Sequence, residues 1–215
     1  KYRLVALDLD GTLLDSSLQI RRQTIDALHR IRQQGVQVMI VTGRHHTATH
    51  AYWHQLGLEL PAICCNGTYL YDFRHRRPLA GNPLTRQEAA ELLAIFRKHP
   101  VHAMVYVADA MVCEKDSPHL DGLRRWSASL PETIRPRLEF VDSFERLIEE
   151  TETIWKFLAA CEEIQALEAF ESAVGAADRG ELRRHIGESA DCRARLVQRV
   201  SLDLSADEEQ ECDNG

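Results

Sequence analysis

The chain has 215 residues, 44% apolar and 27% charged, enough to bury a sizeable core in one or two domains. A formal net charge of −7 argues against a nucleic-acid partner, which needs a basic face. No apolar run is long enough for a membrane-spanning helix, so no membrane partner is expected.

The first element is a strand over residues 3–9, emptying into Asp8-Leu9-Asp10-Gly11-Thr12-Leu13-Leu14. Alternation along a strand sends Asp8 and Asp10 out of one face. Two acids held that close suit metal binding, or a nucleophile beside a general acid. Gly11 permits a sharp turn whose N–H groups cradle an anion. A helix over 21–34 follows, with Ile25, Leu28 and Ile31 on one face and Gly35 as its stop. Val36 to Val41 reads as a second buried strand, ending in Thr42-Gly43-Arg44. A helix over about 46–56 leads to a third strand, Pro61 to Cys65, closing on Asn66-Gly67. This alternation predicts a parallel α/β sheet, in which ligands bind beyond the carboxyl ends of the strands. Asp8, Thr42 and Asn66 all stand at such ends.

The texture then changes. Residues 68–72 and 78–80 predict a hairpin, and Thr85-x-x-Glu88 is a capping box opening a helix to about Lys98. Residues 103–107 and 111–113 read as antiparallel strands, Pro131 to Pro136 as a loop, 154–158 as a strand, and Ile164, Leu167, Phe170 and Val174 as a helix. The expected division is a core over 1–82, an α+β cap over 83–175 and an atypical tail over 176–215. In the tail, 196–197 and 200–202 alone look strand-like or helical. The six cysteines show no C-x-x-C spacing, and Cys64 and Cys65 read as small buried hydrophobes, so a reducing cytoplasm is expected.

The DLDGTLL run is similar to the first motif of the haloacid dehalogenase-like phosphohydrolases, and Val41-Thr42-Gly43-Arg44 resembles their second. The GRHH and CCNGTYLYD stretches resemble the Cof-type branch, in which a cap is inserted after the second motif, and within it the bacterial pyridoxal-phosphate phosphatases. The resemblance implies a Rossmann-like α/β core with an inserted α+β cap. It implies Mg²⁺-dependent hydrolysis of a small-molecule phosphate ester through an aspartyl phosphate. Asp8 would attack phosphorus and ligate Mg²⁺ through its side chain. Asp10 would serve as proton donor and base, and ligate Mg²⁺ through its carbonyl. Gly11, Thr42, Gly43, Arg44, Asn66 and Gly67 would face phosphate or substrate. Pyridoxal phosphate is the first substrate expected and sugar phosphates the second.

Two other features admit bland readings. His46, His50 and His54 share a helix face, where a polar surface is favoured over a transition-metal site. Lys156 reads as an ordinary solvated lysine.

The family pattern also implies a Lys and a GDxxND motif after the cap. No Lys follows Lys156, no GDxxND run occurs, and the strands that usually follow the cap are missing. Three readings stay open: a truncated or frameshifted gene with a non-native tail, which is favoured; a degenerate relative that binds phosphate without turnover; or a tail that rebuilds the missing half. A core cut after three parallel strands would expose apolar edge and face.

Overall fold

The computed structural model describes residues 2–161, 163–177 and 186–188. The first layer opens with two parallel strands, β1 (Leu4–Leu7) and β2 (Gln37–Ile40), in register from Leu4 opposite Gln37 to Leu7 opposite Ile40. They are joined through α1 (Arg22–Gln33), whose Ile25, Leu28 and Ile31 pack on the core. α1 stops where Gly35 takes φ +81 and its N–H bonds the Arg32 carbonyl at 2.9 Å, a left-handed cap open to glycine.

A second crossover, α2 (His46–Gln55), leads to β3 (Ala62–Cys64), joined to β2 by the parallel bridge Val41–Ile63. The layer continues antiparallel through β4 (Tyr69–Asp72) and β5 (Arg77–Gly81), the expected hairpin. Among the described residues β1 pairs only with β2, and Tyr2 and Leu4 are 88% and 46% exposed.

The second layer is a five-stranded sheet. Its elements are α3 (Arg86–Phe96), β6 (His102–Val107), β7 (Met111–Cys113), α4 (Asp121–Ala128), β8 (Leu138–Phe140), α5 (Phe144–Glu150), β9 (Ile154–Ala160), α6 (Ile164–Ala177) and β10 (Ile186–Glu188). The strand order is β10-β9-β6-β7-β8, with β6 antiparallel to both β9 and β7. The capping box forms: Glu88 N–H donates to Thr85 Oγ1 at 3.2 Å, and Thr85 N–H to Glu88 Oε2 at 2.7 Å.

Alternation divides the sheet's side chains between two cores. Val105, Val112, Phe157 and Ala159 meet Leu92, Phe96, Phe144, Leu167 and Phe170 from α3, α5 and α6. Met104, Tyr106, Met111 and Cys113 face the first layer and join its core. The helices therefore cover the outer face, and the inner face roofs the ends of β1 and β2.

Four elements depart from the sequence reading: β10, in a tail where only 196–197 and 200–202 were expected to look strand-like or helical, pairs parallel with β9. α4, β8 and α5 fall where no element was expected, because each is too short to show a period. The loop 131–136 holds one 3-10 turn, Glu132–Ile134. The tail segments 196–197 and 200–202 lie outside the described residues.

Candidate functional site

β1 ends at Leu7, two residues earlier than expected. The Leu9 carbonyl gathers the N–H groups of Thr12, Leu13 and Leu14 at 3.3, 3.0 and 2.9 Å, which turns the chain out of the strand. Leu9 is fully buried, with the half-buried Asp8 and Asp10 on either side of it. Gly11 follows at φ +77, the left-handed region that glycine enters without strain.

The end of β2 is held at alternate carbonyls. Thr42 O accepts Asn66 N–H at 3.1 Å, and Arg44 O accepts Cys65 N–H at 3.0 Å. Thr42 itself is buried, and its Oγ1 accepts the Arg44 N–H at 3.2 Å. Cys65, Asn66 and Gly67 all take positive φ (51, 59 and 90°), so this turn carries real backbone strain at its two non-glycine positions. Asn66 and Gly67 are exposed, and Asn66 meets the Thr42 loop through its backbone.

Arg44 closes the set. Its Nε and Nη2 donate to Asp10 Oδ2 and Oδ1, each at 2.7 Å, a two-point guanidinium–carboxylate pair. The guanidinium carbon lies 5.3 Å from the Tyr52 ring centre and 5.4 Å from that of Trp126. Burial works to lower the Arg44 pKa, but the hydrogen bonds and charge of Asp10 outweigh it, and the net shift is upward.

A cavity of about 430 Å³ opens here, lined by Asp10, Gly43 and Arg44 below and by Tyr106, His119 and Lys156 above. Asp10, Gly43 and Arg44 are thus brought to one cavity, with Thr42 and Asn66 bonded behind them. Asp8 stands at the end of β1 beside β2, where Val41 N–H bonds Leu7 O at 2.9 Å.

Lys156 corrects the sequence reading. It is 1% exposed, and its ammonium donates to the Gly43 carbonyl at 2.8 Å. The histidines correct it too. His46 is buried and stacks on Tyr71 at 3.8 Å, while His50 stacks on Phe73 at 5.3 Å. They build an aromatic wall between α2 and the hairpin in place of a polar face. His45, fully buried, accepts the Thr47 N–H on Nδ1 and donates Nε2–H to the Val107 carbonyl at 2.9 Å. Cys64 and Cys65 are fully buried as expected, and burial pushes both thiols up.

Sequence reasoning missed Tyr106, His119 and Trp126. They come from a strand, a 3-10 turn and a short helix of the cap, where a single aromatic or His carries no spacing signal.

For a divalent metal, Asp8 and Asp10 offer oxygens, the donor type that Mg²⁺ takes from one or two carboxylates alongside water and phosphate. Among the described residues no group of three or more His, Cys, Asp or Glu side chains is placed to hold an ion. The donors fit Mg²⁺ in kind and form part of a shell. Both Asp10 carboxylate oxygens accept hydrogen bonds from Arg44.

Parallel strand ends carrying paired carboxylates, beneath an inserted α+β sheet, define a capped Rossmann-like α/β protein with its crevice between the layers. The chain belongs to the haloacid dehalogenase-like hydrolases, whose family model matches residues 5–185. It is 39% identical over 168 residues to a pyridoxal phosphate phosphatase of Escherichia coli, covering 78% of this chain and 62% of that protein. It is 31% identical over 163 residues to an HMP-PP phosphatase of Yersinia pestis, covering 69% and 57% respectively. The chain therefore spans about three-fifths of the length of these curated relatives. A haloacid dehalogenase-like hydrolase from B. subtilis shares its fold at a TM-score of 0.68 and 20% identity, over 93% of this chain and 79% of that one.

Proposed function

We propose that this chain carries the phosphate-handling crevice of a phosphatase that hydrolyses small-molecule phosphate monoesters. The observation that carries the reading is the Asp10–Arg44 pair at the mouth of a cavity roofed by the cap. A guanidinium already presented to two oxygens is built to meet a phosphate instead.

In this reading an Asp8 oxygen attacks phosphorus, and the ester oxygen leaves with a proton from Asp10. Asp10 then takes a proton from water, whose oxygen attacks the aspartyl phosphate and frees phosphate and Asp8. Arg44 must first exchange Asp10 for a phosphate oxygen, since both Asp10 oxygens accept its N–H groups. Gly11, Thr42 and Gly43 would offer the phosphate N–H and hydroxyl donors, and Asn66 and Gly67 would face the substrate from the third strand end. Mg²⁺, held by Asp8 and the Asp10 carbonyl, would offset the repulsion between the carboxylates and a phosphate dianion. Residues 1–82 act as the core and 83–175 as the cap, which closes the crevice from bulk water.

The substrate proposed first is pyridoxal 5′-phosphate, supported by the 39% identity to a phosphatase named for it and by a cavity walled by Tyr106 and Met104. Sugar phosphates come second. A cytoplasmic setting suits the buried free thiols of Cys64, Cys65 and Cys113. The rival reading, phosphate binding without turnover, is favoured by the partial metal shell among the described residues.

The deciding assay follows phosphate release from p-nitrophenyl phosphate and from pyridoxal phosphate with Mg²⁺. Turnover that Asp8→Asn abolishes is the expected result. Phosphate binding with no turnover by the wild type would establish the rival instead.

A further inference from the structure

Lys156 is a buried cation that the proposed chemistry does not use. Its placement depends on an irregularity in β9. Tyr106 pairs with Lys156, but the next pair is Val107 with Ile154, so one residue, Trp155, is extra. A bulge of this kind re-aims side chains. Here it turns two consecutive residues to the inner face: Trp155 packs against Tyr69 at 4.2 Å, and Lys156 reaches the Gly43 carbonyl at 2.8 Å. The Lys156 ammonium also lies 5.7 Å from the Tyr106 ring centre.

The carbonyl it meets belongs to the peptide between Gly43 and Arg44. A trans peptide points its C=O and N–H in opposite directions. With the carbonyl fixed toward the cap, the Arg44 N–H is fixed toward Thr42, and it donates to Thr42 Oγ1 at 3.2 Å. An ammonium on one end of a peptide polarises it and strengthens the donor at the other end. The Thr42 oxygen is thereby committed as an acceptor, which leaves its hydroxyl hydrogen to point elsewhere.

We infer that Lys156 is a positioning residue, acting through the Gly43–Arg44 peptide to aim the Thr42 hydroxyl at a bound phosphate. The cap then completes the phosphate site from a distance, and the site is fully formed only with β9 seated on the β2 loop. The inference rests on the reading of Thr42 as a phosphate ligand.

The test is a double-mutant cycle of Lys156→Met and Thr42→Val. It is read by calorimetric affinity for inorganic phosphate and by kcat/KM for p-nitrophenyl phosphate. Lys156→Met should weaken both by about tenfold or more in the wild-type background and by less than about threefold once Thr42 is Val. Lys156→Arg should recover part of the loss, and melting curves of every variant separate this effect from unfolding. Equal losses in both backgrounds, or none, would overturn the inference even if the wild type hydrolyses the ester. Coupled losses in phosphate affinity without any wild-type turnover would uphold it while the hydrolase reading falls. A wild type that neither binds phosphate nor turns over sinks both.

Discussion

Tyr52 of α2 and Trp126 of α4 stack at 5.4 Å with an interplanar angle of 12°, which joins the two layers beside the crevice. Arg44 lies within 5.5 Å of both ring centres, so the residue that clamps Asp10 also rests on the clasp between core and cap. Trp126 is buried, and the Tyr52 hydroxyl donates to Leu18 O at 3.1 Å, which anchors the core half of the clasp. Trp126→Ala should cost about 3 kcal/mol in urea unfolding, the usual range for emptying a large aromatic site. Trp126→Phe, which keeps a stacking ring, should recover most of it. Equal losses for both variants would show that the stack itself contributes nothing.

The Asp10–Arg44 pair makes a separate stability prediction. Their side chains are 19% and 16% exposed, between the surface and the interior. Asp10→Asn leaves the guanidinium largely desolvated without its counter-charge and should cost about 2 kcal/mol, between the values for exposed and buried pairs. Arg44→Gln added to Asp10→Asn should restore part of that loss, because no charge is then stranded. Unfolding midpoints of the two singles and the double give the coupling directly. A double variant no more stable than Asp10→Asn would refute the ion-pair account.

The strands and helices up to Phe96 were legible where a strong signal bounds them: Gly11, Gly35, the Asn66-Gly67 turn or the Thr85 capping box. The end of β1 was not, because the three-way hydrogen bonding of Leu9 O overrides the apolar run that continues past Leu7. Lys156 misled for a different reason. Composition places lysines at the surface, and nothing local reveals a bulge whose partner strand, β6, lies some fifty residues earlier. His46 likewise reads as polar on a helix and is buried because Tyr69, Tyr71 and Asp109 converge on it from other elements. The motif residues could be found in sequence, whereas the cap's contribution to the site depends on long-range register.

Gly81 shows the same dependence. A Cβ built there would stand 2.8 Å from Trp155 Cζ3 and 2.8 Å from Tyr69 Cβ. The Tyr69 contact is to an atom fixed to the backbone and has no flexible end to give way. Gly81→Ala should therefore cost about 1–3 kcal/mol by overpacking, and the displaced Trp155 should shift its fluorescence. Gly122→Ala is the control, since its Cβ would meet nothing within 4 Å and alanine is the better helix former. If the two substitutions prove equally tolerated, the tight seam between β5 and β9 is not present in solution.

His45 and His46 set the response to acid. Burial, reinforced by the neighbouring His46, holds His45 well below the usual histidine range. Burial, with His50 nearby, brings His46 down to about 3, so its 3.4 Å contact with Asp109 is not an ion pair at pH 7. In the unfolded chain both titrate near about 6.5. Between that value and the folded one, the unfolded state binds more protons, so stability rises with pH and is lost as pH falls below about 6.5. Each histidine should contribute a slope approaching about 1.4 kcal/mol per pH unit through that window. Urea unfolding of the wild type from pH 7 to 4.5 should show the decline. His46→Gln, which keeps a hydrogen-bonding side chain without the titration, should flatten it by about half. A wild-type stability unchanged from pH 7 to 4.5 would mean that these rings are not buried as neutral bases, and the link from His45 to the Val107 carbonyl would then fall with it.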